Sequence, residues 1–147
     1  MKRLRFLEDN FGFKVIKIER ESYGVFIILQ NQTTSVRISF EPREGGIFIL
    51  LSRLVNGKTP MYPIFVEPDT ELHSFYLDDL IHLKDPKFEF SFRIQRTLSP
   101  VQLELALGEI ADALQKYASS VLMGDFEVFT NLEHVVKMRR LSLKKQS

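Results

Sequence analysis

The spacing of apolar residues changes most clearly near residue 98, and the change divides the chain into a strand-rich front and a helical back. Leu103, Ala106, Leu107, Ile110, Ala113, Leu114, Tyr117, Val121 and Leu122 recur at helical spacing. They predict a helix with one wide apolar stripe, with Glu104, Glu109, Asp112, Gln115 and Lys116 off it. Its start is written in Ser99-Pro100-Val101-Gln102. Ser99 can accept from a free backbone N–H while the Gln102 side chain returns the bond, and Pro100 stands where a missing N–H costs nothing. Gly124 can supply the left-handed residue that ends the helix. Asp125 is then placed to cap a second helix over residues 126–143, with Phe129, Leu132, Val135, Val136 and Leu141 near one face.

In the front, Leu4, Leu7 and Phe11 share helical spacing, which predicts a short helix over residues 3–11 ended by Gly12. From Phe13 the period shortens to two, with Phe13, Val15 and Ile18 set against Lys14 and Lys17. Residues 23–29 are almost continuously apolar, as in a central strand, and residues 30–33 read as a turn. Residues 35–41 alternate cleanly, Val36, Ile38 and Phe40 on one side and Ser35, Arg37, Ser39 and Glu41 on the other. A hairpin at residues 41–46 leads to a further strand over 47–51. Such short links predict antiparallel pairing, because parallel strands need a long crossover. Pro60, Pro63 and Pro68 make residues 56–70 a loop. A short helix is expected over 75–83, and a strand over 87–96 with Phe88, Phe90, Phe92 and Ile94 on one side. The expected fold is α+β: a single domain over residues 1–147, strand-rich over 1–98 and helical over 99–147. Its antiparallel meander sheet has about four to six strands, with the C-terminal helices packed on one face.

Composition narrows the chemistry. A chain of 147 residues buries roughly 68–70% of its unfolded surface, enough for one real core. With no cysteine there is no disulfide, thiolate metal site or cysteine nucleophile, which fits a cytoplasmic setting. Charged residues interrupt the first positions, so no signal peptide is expected, and no apolar run reaches the length of a membrane span. The formal net charge of +1 gives no general attraction to nucleic acid. Basic residues gather at the ends, Lys2, Arg3 and Arg5 on one side and Lys137, Arg139, Arg140, Lys144 and Lys145 on the other.

Signatures of catalysis are missing from the sequence. His73, His82 and His134 form no His-x-x-x-His pair, so no metal or cofactor is expected. Asp78 and Asp79 are adjacent, and neighbouring side chains on a helix diverge by about 100°, which makes them a poor carboxylate pair. Gly45-Gly46 lacks phosphate-loop spacing, and there is no G-x-S-x-G elbow. The sequence therefore points to binding, with Arg43 and Glu44 on the charged hairpin, Tyr62 and Phe65 in the proline-rich loop, and Arg93 and Arg96 on the 87–96 strand as candidate contacts. Met61 and Ile64 accompany Tyr62 and Phe65, either covering the core or anchoring another protein. Two other readings stand beside this one. In the first, the 87–96 strand or the basic C-terminal segment binds nucleic acid by stacking and charge. In the second, the fold assembles an enzyme site in a deep pocket from some of Glu71, His73, Asp78 and His82.

The pattern Leu114-x-x-Tyr117-Ala118-x-x-Val121-Leu122-x-Gly124-Asp125-Phe126-x-x-Phe129, with a basic segment after it, resembles that of small uncharacterised bacterial proteins, among them immunity partners of toxins. The Phe6-Leu7-x-x-x-Phe11-Gly12-Phe13 opening is similar in style. The resemblance covers about the last third of the chain closely and the front loosely. It implies an α+β protein that binds and blocks another protein, with no catalytic residues to carry over. The absence of a strong negative charge points away from a strongly basic nuclease as the target. The expected partner is another protein, with a second copy of this chain as a further candidate and no membrane.

Overall fold

A computed structural model of the chain describes residues 2–22, 24–41, 46–63, 65–92 and 99–146, with side chains as far as residue 143. A 3-10 turn, Lys2–Leu4, runs into α1, Arg5–Phe11, which Gly12 ends in the left-handed conformation at φ 71°. Four strands follow: β1, Lys14–Glu21; β2, Gly24–Gln30; β3, Thr34–Glu41; and β4, Gly46–Arg53. After a long connection come β5, Ser74–Tyr76, and α2, Leu77–Lys84. The back of the chain is α3, Pro100–Tyr117, a single turn α4, Ser119–Leu122, and α5, Val128–Gln146. All five strands form one antiparallel sheet in the order β1-β2-β3-β4-β5.

The register explains which side is dry. Ile18, Ile27, Ile38 and Ile49 stand side by side across four strands, and Val15, Leu29, Val36, Leu51 and Phe75 form the next row. From β2 onward these rows belong to the same buried core as Leu80 and Ile81 of α2, Ile110 and Leu114 of α3 and Leu132 of α5. Phe75 and Phe129 meet edge to face with ring centres 4.8 Å apart. At the head of α3, the Gln102 N–H donates to Ser99 Oγ and the Ser99 N–H to Gln102 Oε1, the reciprocal cap read from the sequence.

Several expectations are corrected. The helix expected over 75–83 starts at Leu77, and Ser74–Tyr76 is spent on pairing with β4. The long helix breaks at Ala118, whose ψ of 7° separates α3 from α4. Asp125 caps the turn ahead of α5 by accepting from the Glu127 N–H, so the helix itself begins at Val128. β1 does not bury an apolar side. Val15 and Ile18 sit on the core side but at the sheet's end, and a bulge between Val15 and Lys17 adds Ile16 to the exposed set.

The described part of the 87–96 segment, residues 87–92, joins no strand. Phe88, Phe90 and Phe92 instead form a half-buried ladder laid on the core. Phe88 meets Tyr117 of α3 at 5.6 Å. Glu109 of the same helix accepts from both the backbone N–H and the hydroxyl of Ser91. The hairpin at 42–45 and the stretch 93–98 lie outside the described residues. Among the described residues no helix is long and apolar enough to cross a membrane.

Candidate partner-binding surface

The second side of the sheet is closed in part by the chain itself. Its rows are Gln30-Ser35-Ser52-Ser74, then Lys17-Ile28-Arg37-Leu50-Tyr76, then Glu19-Phe26-Ser39-Phe48. Beyond β4, residues 54–63 and 65–73 form a strap that meets the sheet at Gln30 and at Tyr76, while Ile64 lies outside the described residues. It opens with a two-residue turn, Val55 bridging Lys58, in which Asn56 and Gly57 both have positive φ, 54° and 74°. That geometry is the primed hairpin turn, and Asn-Gly is the pair that tolerates it. Gln30 holds the turn down by donating to the Gly57 carbonyl and accepting from Thr59 Oγ1. In the same row, Ser52 and Ser74 share a buried hydroxyl–hydroxyl bond of 2.7 Å.

Further along, Tyr62 packs on Tyr76 with ring centres 6.0 Å apart, and Tyr76 leans on Phe48 at 6.5 Å. Burial raises the Tyr62 pKa, Tyr76 adds to the rise, and Arg140 opposes it. The strap then dips so that Val66 and Leu72 enter the core. α5 fastens this returning limb: Lys137 Nζ donates to the Pro68 carbonyl at 2.8 Å, and Glu133 accepts from the Leu72 N–H at 3.2 Å. Two residues on, Arg139 reaches Asp79 of α2 at 2.6 Å, a bond that raises the arginine's pKa.

Between its two anchored limbs the strap turns Tyr62 towards the sheet and Met61 and Phe65 towards solvent. Met61 is 91% and Phe65 78% exposed, the two most exposed large apolar side chains among the described residues. A crevice of about 80 Å³ beside them is lined by Val66, Glu67, Pro68, Lys137, Arg140 and Leu141. The result is an apolar tip on a pinned base, next to the cationic end of α5. An arrangement of this kind can insert side chains into a pocket on another protein with little ordering cost.

Of the six residues singled out in the sequence, the structure places two, Tyr62 and Phe65, three positions apart in this strap with opposite roles. Tyr62 is half-buried and supports the base, whereas Phe65 points to solvent. Arg43, Glu44, Arg93 and Arg96 lie outside the described residues. Sequence reasoning missed Tyr76, Asp79 and Arg139 as parts of the same surface. They are distant in the chain, and no local signal marks them.

The residues weighed for catalysis fall into two pairs, Glu71 with His73 and Asp78 with His82. His73 Nδ1 lies 2.9 Å from Arg53, with Glu71 3.8 Å from the same guanidinium, in an arrangement that joins the end of β4 to the start of β5. His82 Nε2 contacts the Phe88 carbonyl at 3.1 Å. Desolvation raises the Asp78 pKa and His82 opposes the rise, although the Asp78 side chain still reaches solvent. Two larger clefts, of about 250 Å³ and 370 Å³, are lined by other residues: Lys84, Tyr117 and Asn131 among those of the first, Asn10, Asn31 and Met123 among those of the second. Among the described residues no group of three His, Asp or Glu side chains is arranged to hold a metal ion. Comparison of the chain with protein families, with curated proteins and with solved structures found no match.

Proposed function

We propose that the chain is a non-catalytic protein-binding module that engages its partner through the exposed Met61 and Phe65 of the strap. The observation that carries this reading is the pairing of high exposure at Met61 and Phe65 with firm anchoring on either side. Loops that merely cover a core turn such side chains inward; this one turns Val66 and Leu72 inward and leaves Met61 and Phe65 out. Arg140 beside the crevice favours a partner with an acidic rim round an apolar pocket. A role that blocks another protein, as in the toxin-immunity partners that the C-terminal pattern resembles, fits this surface. Nucleic-acid binding is the weaker reading, because Phe88, Phe90 and Phe92 are half-buried against the core and Glu109 occupies the polar groups of Ser91.

The test compares the wild-type chain with the double variant Met61→Asp/Phe65→Asp as baits in a lysate of the source cells, with nuclease and at high salt. The expected result is a stoichiometric protein held by the wild type and lost by the variant, with both baits melting at the same temperature. Equal retention by the two baits, or loss of the retained material on nuclease treatment, overturns the proposal.

A further inference from the structure

The opposite edge of the sheet carries a second interaction surface, independent of the strap. Among the described residues β1 pairs with β2 alone, and every residue of it except Glu19 is exposed. Three of its eight residues are large and apolar, Val15, Ile16 and Ile18, at 38%, 54% and 61% exposure. Its charges are segregated, Lys14 and Lys17 in the first half and Glu19 and Glu21 in the second, with Arg20 between the two acids. An open edge of this length is a template for another strand, and the charges decide which strand fits.

We propose that β1 pairs antiparallel with β1 of a second copy of this chain, about a two-fold axis at Ile18, to give one continuous ten-stranded sheet. A two-fold axis perpendicular to the sheet keeps the same side of both copies together, so one residue must stand opposite itself. Placing Lys17, Glu19 or Arg20 at the axis sets like charges against each other, which is destabilising. Placing Ile18 there sets the Ile18 side chains together on the core side. On the other side, Lys17 of each copy then faces Glu19 of the other. Lys17 and Glu19 already meet within one strand at 3.5 Å, so the dimer extends one ion pair into a ring of four alternating charges. The bulge at Ile16 and the lysines discourage an arbitrary strand from adding to this edge, and this register gives Lys17 an acidic partner. The interface is closed by symmetry and stops at two copies.

Sedimentation equilibrium over a wide concentration range tests the pairing. The wild-type chain is expected to pass from monomer to dimer, with the transition weakened by salt. Lys17→Glu alone and Glu19→Lys alone each place like charges opposite one another twice, and each is expected to weaken the dimer by about tenfold or more. An equimolar mixture of those two variant chains restores opposite charges at every contact and is expected to form a heterodimer that neither chain forms with itself. Ile18→Asp abolishes association with the circular dichroism spectrum unchanged. A wild type that stays monomeric throughout, or a mixture that fails to associate while both variants remain folded, overturns the proposal. The strap variant Met61→Asp/Phe65→Asp leaves the dimer intact, so failure here and failure of the strap reading are separate results.

Discussion

At one edge of the sheet β5 is three residues long and lies among α2, α5 and the strap; at the other, β1 is eight residues long and exposed along almost its whole length. The first edge is covered by the chain itself, since the connection that delivers β5 packs Tyr62 on Tyr76 and α5 packs Phe129 on Phe75. The second is left to charge, with a lysine-rich half, an acidic half and one bulge. The contrast shows that unpaired backbone at a sheet edge has two remedies. One consumes chain length and produces a rigid base from which Met61 and Phe65 project. The other keeps the edge accessible and selects what joins it.

The largest test of this contrast is Phe75→Ala. Phe75 is 1% exposed and packs on Phe129, so its truncation costs about 3–5 kcal/mol in urea unfolding. A loss under about 1 kcal/mol would mean that the closed edge is not part of the core. Next comes Ser74→Ala, which strands the buried Ser52 hydroxyl and costs about 1–2 kcal/mol. The double variant Ser52→Ala/Ser74→Ala costs less than the two single losses added, which a double-mutant cycle reads directly.

A smaller effect concerns pH. Burial lifts the Tyr62 pKa above its ordinary value near 10, so the folded chain holds the phenolic proton more tightly than the unfolded chain. The stability this contributes is complete below about pH 10 and is lost as pH rises through the raised value. Tyr62→Phe removes that loss. The gap in unfolding free energy between wild type and variant is therefore expected to change above about pH 10 and stay constant below it. Smallest of all is Ile18→Ala, measured on dilute protein. At 61% exposure its effect on monomer stability stays within about 0.5 kcal/mol, so any larger effect at high concentration reports association.

What could be read from the sequence follows the range of the forces involved. The cap at Ser99 and Gln102 and the stops at Gly12 and Gly124 were legible because each is settled within a few residues. The meander was legible for the same reason, through its short links. β5 was hidden because three residues of strand run straight into Leu77, Leu80 and Ile81, whose helical spacing absorbs Phe75. Phe88, Phe90 and Phe92 misled in the opposite direction. Alternation reports that one side of a segment is buried and is silent on whether the backbone has a neighbour to pair with. At the candidate surface, apolar residues among prolines drew attention to Tyr62 and Phe65. The pairing of Asp79 with Arg139, sixty positions apart, depends on α2 and α5 packing together and has no local signature.

Asn31 gives the chain a property that neither edge confers. Its side-chain amide donates to the carbonyl of Phe11, the last residue of α1, and to that of Leu122, the last residue of α4, while its oxygen accepts from the Thr33 and Thr34 N–H groups. Thr34 adds a buried bond to the Val121 carbonyl. One turn between two strands thus completes the ends of two helices that lie on either side of it in the chain, one before the sheet and one after. The back therefore relies on the front for the carbonyls of Val121 and Leu122, whereas the front closes α1 at Phe11 by itself. A back fragment expressed from a divided gene is expected to leave the Val121 and Leu122 carbonyls open until the front fragment is mixed with it.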